Sequence, residues 1–154
     1  MAQVQTDEKS AQDDLLQLSL FYLDDTLCGI NIDQVQEINE ELTITNVPLS
    51  PDYVMGIMNL RGQIITVVNL AMKIGLSPST ITPLSRVVIV SSKGENIGLL
   101  VDKISDVITI PQSKIADSPA NIKGAQDIFF EGIFHTETHE LMALINVRVV
   151  LENE

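Results

Sequence analysis

From residue 15 onward the chain is a succession of short apolar runs separated by turn residues. In the first half these cover residues 18–23, 27–32, 42–46, 54–60 and 64–70, and in the second half residues 87–91, 97–101, 107–110, 128–134 and 141–147. The runs are rich in Ile, Val and Leu. They are bounded by Asp24-Asp25, by Arg61-Gly62 and by Lys93-Gly94-Glu95-Asn96. Such runs read as strands joined by tight hairpins, because Gly, Asn and Asp tolerate the positive φ that the turns require. The pattern predicts five strands in each half.

The second series copies the first. Gly29, Ile30, Ile32, Asp33, Val35, Glu37 and Ile38 recur as Gly98, Leu99, Val101, Asp102, Ile104, Asp106 and Val107, with spacing and side-chain class unchanged. Ile44 and Pro48 recur as Ile115 and Pro119, Gly56-Ile57-Met58 as Gly132-Ile133-Phe134, and residues 63–70 as residues 140–147. The offset grows along the chain, as insertions in connecting loops produce, so two like units share it. Five short twisted strands bury one face by curling closed, which also removes vulnerable edges. The expected fold is therefore all-β: two pseudo-repeated five-stranded small β-barrels, SH3-like, packed side by side. Residues 1–14 are expected as a flexible acidic tail, 15–82 as the first barrel subdomain and 83–154 as the second, with Gly75, Pro78 and Pro83 marking the linker. Short helical turns are expected over residues 33–39 and 70–75, and a short C-terminal helix over 147–154.

Composition sharpens this picture. Apolar residues make up 45% of the 154 but aromatics only 4%, with no Trp, so the cores have to be built from Ile, Val and Leu, which favour strands. Units of about 65 to 70 residues are close to the lower limit for an independent core, so the halves are expected to lean on each other. A net charge of −12 repels phosphate backbones and anionic lipid surfaces, which speaks against nucleic acid and membrane binding. No apolar run has the length of a membrane span and the start of the chain lacks the features of a secretion signal, so a cytoplasmic location without membrane insertion is expected. The single Cys28 excludes an intramolecular disulfide, and its apolar neighbours mark it as a small buried residue.

Paired β-barrels also occur in proteases, yet their chemistry is missing from the sequence. No Asp-Thr/Ser-Gly turn is present, and Asp33 and Asp102, although at matched positions, read as helix N-caps. Both histidines lie in one short stretch with Glu137 and Glu140, and His135 and His139 there lack an evident third ligand, so the stretch reads as a polar loop. Gly94 and Gly98 lack the pattern of a phosphate loop. No catalytic residue, metal or cofactor is expected, and the chain does not read as an enzyme.

Arg61 carries the strongest functional hint. Between Lys9 and Lys73 it is the only basic residue, against nine acidic ones, and it sits in a hairpin turn beside apolar neighbours, where the second half has no counterpart. A surface ion pair with a nearby carboxylate is one reading; an arginine anchor at an interface is the other. The repeated stretches Val35-Gln36-Glu37-Ile38 and Ile104-Ser105-Asp106-Val107 form a second candidate. Val35 and Ile104 either seal the junction of the halves or line a groove in it.

Taken in order, Val35-Gln36-Glu37-Ile38, Gly56-Ile57-Met58-Asn59-Leu60-Arg61-Gly62-Gln63-Ile64, Val67-Val68-Asn69-Leu70 and Val101-Asp102-Lys103-Ile104-Ser105-Asp106-Val107 resemble the CheW-like domain family of bacterial chemotaxis coupling proteins. The resemblance covers about residues 18–151. It departs at Asn69, where the family often has Asp, and at Cys28, where an aromatic often precedes the glycine. It implies a non-enzymatic adaptor without cofactor, monomeric when free, that links the cytoplasmic tips of chemoreceptors to the regulatory domain of the histidine kinase CheA. Its place would be in receptor arrays at the inner face of the membrane, held there through its partners. In the family a helical receptor tip lies in the groove between barrels. The matching receptor-binding positions here are Val35, Glu37, Ile38, Arg61, Val87, Ile104 and Val107. Kinase contacts in the family use exposed barrel ends and are carried over to no particular residue. The rival reading is a small-ligand-binding sensor module that uses the same groove.

Overall fold

The chain alternates strands with short helical turns: β1 (Leu15–Leu23), β2 (Thr26–Asn31), β3 (Val35–Asn39), β4 (Val54–Leu60), β5 (Gln63–Asn69), α1 (Leu70–Ile74), β6 (Arg86–Ser92), β7 (Glu95–Val101), β8 (Lys103–Pro111), β9 (Asn121–Ile122), β10 (Ala125–Gln126), β11 (Phe130–His135), β12 (Leu141–Ile145) and α2 (Val147–Glu152). The computed structural model describes residues 14–119, 121–122 and 124–152. The expected tail, apart from Asp14, and the last two residues of the expected terminal helix lie outside the described residues.

Two five-stranded sheets carry the fold, in the orders β11-β12-β2-β1-β8 and β3-β6-β7-β5-β4. The expectation of one closed barrel for residues 15–82 and another for 83–154 is corrected on two counts. Neither ladder closes on itself: β11 and β8 end one sheet, β3 and β4 the other. Each sheet also takes strands from both halves. The hairpin β1–β2 joins β8, β11 and β12, while β6–β7 joins β3, β4 and β5. When each strand is replaced by its repeat mate, one sheet order becomes the other, so the duplication survives as a pseudo-twofold arrangement with exchanged hairpins. The joints are two parallel pairings, β2 with β12 and β5 with β7, and two antiparallel ones, β1 with β8 and β3 with β6. Equivalent strands carry equivalent side-chain patterns, so sequence alone does not say which copy a strand pairs with.

Two local differences follow. The third strand of the first half is β3, not residues 42–46, which contribute only a single bridge, Thr45 with Ile57. Its repeat is the bridge between Ala116 and Ile133. At both bridges a glycine permits the approach: a Cβ on Gly56 would lie 2.0 Å from the Thr45 carbonyl oxygen, and one on Gly132 2.4 Å from that of Ala116. The helical turn expected over residues 33–39 shrinks to a 3₁₀ turn at Ile32–Gln34. Asn31 caps it, not Asp33, by accepting the Asp33 N–H at 2.9 Å.

Both α-helices start at repeated asparagines. Asn69 Oδ1 accepts the Met72 N–H at 3.3 Å and Asn146 Oδ1 the Val149 N–H at 3.2 Å, satisfying backbone donors that the first turn leaves open. Buried Asn69 does more: its Nδ2 donates to the Ser79 carbonyl at 2.9 Å and its Oδ1 accepts the Ser79 N–H at 3.2 Å, so one amide straps the connection between halves onto the fold.

Three apolar clusters explain the unbroken apolar runs. One fills the curl of the first sheet, with Leu18, Leu20, Leu27, Ile110, Met142 and Leu144. Another fills the curl of the second, with Met58, Ile65, Val67, Val87, Ile89 and Leu100. The largest lies between the sheets and takes the alternate residues of the same strands, among them Phe21, Ile30, Val88, Val90, Ala143 and Ile145. Central strands are thus covered on both faces, which removes the apolar-polar alternation of a half-exposed strand. At about 1.5–3 kcal/mol for each large side chain withdrawn from water, the shared cluster binds the two sheets into one body. It also fills the seam between them.

Candidate functional site

Strands β4 and β5 meet in a two-residue turn, Arg61-Gly62, between the paired Leu60 and Gln63. Both turn residues have positive φ, 54° and 84°, the geometry whose twist matches flanking antiparallel strands. Asn59 Oδ1 accepts the Gly62 N–H at 2.9 Å and fixes the turn. The Arg61 side chain is thereby thrown toward β3, where its Nη1 lies 2.7 Å from Glu37 Oε1. β3 and β4 are opposite edges of one ladder, so this ion pair joins the lips of a sheet that backbone hydrogen bonds leave open. The arginine side chain is 78% exposed and the glutamate 25%. A pair so placed contributes about 0–1 kcal/mol to folding and leaves most guanidinium donors free for another carboxylate.

The remaining expected receptor-binding residues fall into three groups. Val35 and its repeat mate Ile104 are half-buried against the inter-sheet cluster, so they seal the junction and do not line an open groove. Ile38 and its mate Val107 are 40% and 53% exposed, one on an edge strand of each sheet. Val87 is fully buried in the curl of the second sheet, where it cannot meet a partner directly. Its place is structural: it pairs with Asn39 and holds β3 in register. The expected groove is accordingly a rim around a filled seam, with Arg61 and Glu37 paired at the middle of β3.

Several contacts across the repeat were not anticipated. Arg86 of β6 donates to the Ser85 and Pro83 carbonyls at 2.7 and 3.1 Å and lies 3.6 Å from Glu40, so a second arginine faces the acidic end of β3. Asp102 accepts the Asp24 N–H, tying the β1–β2 turn to the β7–β8 junction, and caps no helix. Tyr22 donates to Glu140, with both carboxylate oxygens at 3.0 Å. That hydrogen bond, together with burial and the charges of Glu140 and Asp106, raises the Tyr22 phenol above its usual value. Close basic and acidic residues on separate repeats leave no local sequence signal.

His135 and His139 are exposed, and among the described residues no group of three or more His, Cys, Asp or Glu is placed to hold a metal ion. Among the described residues no helix is long and apolar enough to cross a membrane.

Comparison with known proteins agrees with the geometry. Residues 17–154 match the CheW-like domain. The chain is similar to the chemotaxis protein CheW of Bacillus subtilis (strain 168), at 29% identity over 153 residues, covering 99% of this chain and 92% of that one. It is similar to the chemotaxis protein CheW of Treponema pallidum (strain Nichols), at 31% identity over 139 residues, covering 88% and 82%. Its fold resembles the crystal structure of the scaffolding protein TtCheW from Thermoanaerobacter tengcongensis, with a TM-score of 0.82 at 31% identity, covering 90% and 89% of the two chains. The family match over residues 17–154, together with the likeness in fold to a solved relative at 31% identity, leads to one assignment: the chain belongs to the CheW-like domain family.

Proposed function

We propose that the chain is a non-enzymatic scaffold of chemotaxis that couples the cytoplasmic tips of chemoreceptors to the histidine kinase CheA. The observation that carries this reading is the exposed ion pair of Arg61 and Glu37 beside Ile38, 40% exposed, and Ile64, 63% exposed. A helical receptor tip would lay its apolar stripe on the exposed Ile38 and Val107, with Val35 and Ile104 sealing the junction beneath it. One of its carboxylates would then share the guanidinium of Arg61 with Glu37. Val87 supports this surface from beneath. Aliphatic contact would supply the buried area and the arginine the orientation, since a planar guanidinium fork is directional.

Coupling of this kind needs no bond to be made or broken, only two partners held together. The rival sensor module loses support because the inter-sheet seam is occupied by apolar side chains. The test is reconstitution: chain, receptor-bearing vesicles and CheA are mixed and sedimented. Kinase is expected in the pellet only when the chain is present, with its activity then under receptor control. Kinase recruitment that is indifferent to the chain would refute the proposal.

A further inference from the structure

The two sheets share one design but close differently. In the sheet β3-β6-β7-β5-β4 the lips meet through Arg61 on Glu37. The repeat mate of Glu37 is Asp106, exposed on β8, and the connection matching the Arg61 turn is the β11–β12 loop, which carries Glu137 and Thr138 where a cation would be needed. Among the described residues no lysine or arginine forms an ion pair with Asp106 or Glu137. Lys103 lies over the ring of Tyr22 instead, 5.1 Å from its centre. An open cleft of about 550 Å³ results, floored by Leu20, Leu27, Ile110 and Phe134 and rimmed by Asp106, Glu137 and Glu140.

We propose that this cleft docks an arginine presented on a turn of a partner protein, with the guanidinium on Asp106 and a flanking apolar side chain on the Leu20–Phe134 floor. The molecule supplies the template: its other sheet fills the equivalent place with a guanidinium from a Leu-Arg-Gly turn against the equivalent carboxylate. Charge complementarity favours the same occupant, since the rim is acidic. The Tyr22 phenol at the same rim is pushed up first by its hydrogen bond to Glu140, then by burial, with the charges of Glu140 and lastly Asp106 acting in the same direction. A chain of net charge −12 repels a second copy, nucleic acid and anionic lipid, which leaves a basic protein segment. The inference goes beyond receptor docking: Asp106 and Glu137 are not among the residues assigned to the receptor surface, although Val107 of that surface is the chain neighbour of Asp106.

The test uses the full ¹⁵N-labelled chain and two blocked tetrapeptides, Leu-Arg-Gly-Leu and Leu-Glu-Gly-Leu, titrated to millimolar concentration and followed by amide chemical shifts. The arginine peptide is expected to move amides of residues 105–110 and 133–140 saturably, and the glutamate peptide to leave them in place. The variant with Asp106→Lys and Glu137→Lys, both exposed positions, is expected to bind about tenfold more weakly or not at all. Arg61→Gly is expected to add a second set of shifts at Glu37 by vacating the sister lip. Four results would overturn the proposal: silence at the Asp106 lip whatever the sister lip does, equal binding of both peptides, undiminished binding by the double lysine variant, or shifts at this lip on concentrating the protein alone.

Discussion

Glu37 stands on one edge strand of a five-stranded ladder and Arg61 in the turn that leaves the opposite edge strand, and their side chains nevertheless meet at 2.7 Å. The sheet therefore curls until its lips touch, and a pair of charges holds the last gap. Because the arginine is mostly exposed, little folding energy resides there. The pair is available for exchange with a partner, whose carboxylate can compete for the same donors at small cost to the fold.

The Arg61→Gly variant separates these roles. Glycine accepts the φ of 54° more readily than arginine, which offsets the lost ion pair. Urea unfolding is expected to show a change within about 1 kcal/mol. A loss of several kcal/mol would mean that the pair is structural.

Gly98 lies against Val87, and a Cβ there would fall 2.7 Å from Val87 Cγ1, on a stiff branched side chain in the buried curl. At the repeat mate Gly29 the nearest atom is Met142 Sδ at 2.9 Å, on a side chain that can adjust. Gly98→Ala is expected to cost about 1–3 kcal/mol, more than Gly29→Ala. Adding Val87→Ala should recover part of that loss, a coupling that a double-mutant cycle in thermal unfolding will measure.

Asn69 uses its amide as both donor and acceptor toward Ser79, so aspartate is a poor replacement although it is the same size. Asn69→Asp loses the donor and faces a carboxylate with the Ser79 carbonyl. A cost of about 1–3 kcal/mol is expected at neutral pH. The deficit should shrink in acid, as protonation of the introduced carboxyl restores a donor; a deficit independent of pH would contradict this role.

Tyr22 keeps its proton because it donates to Glu140, and its pKa is raised above 10.0. A raised pKa in the folded state means that this contribution to stability is fully present below pH 10 and is lost as pH climbs through the folded value. With Tyr53→Phe leaving one of the two tyrosines, ultraviolet titration should find its midpoint above 10.0, and Glu140→Gln should lower it. An unmoved midpoint would exclude Glu140 as the cause.

Much of this architecture was legible in the sequence, because the repeat preserves what packing demands. Gly29 and Gly98 sit at matched close contacts, Asn69 and Asn146 cap matched helices, and the Arg61-Gly62 turn has the positive φ its composition predicts. Strand exchange was not legible, since β1 and β6 present the same pattern to either set of neighbours. β3 passed for a helical turn because an edge strand carries polar residues such as Gln36 and Asn39 among its apolar ones. Val87 passed for a groove residue because a strand covered on both faces gives no alternation to say which valine is inside. At the candidate site, the isolation of Arg61 among acidic residues was visible, but its partner Glu37 became identifiable only once the sheet had curled.

Binding of a soluble receptor-tip fragment by the Arg61→Glu variant tests the docking role most directly, with Glu37→Arg added as a charge-swapped control. The single variant is expected to melt like the parent chain and to bind the fragment about tenfold more weakly or worse, with partial recovery in the swapped pair. Unchanged affinity in a folded Arg61→Glu protein would contradict the assignment of this rim as the receptor surface.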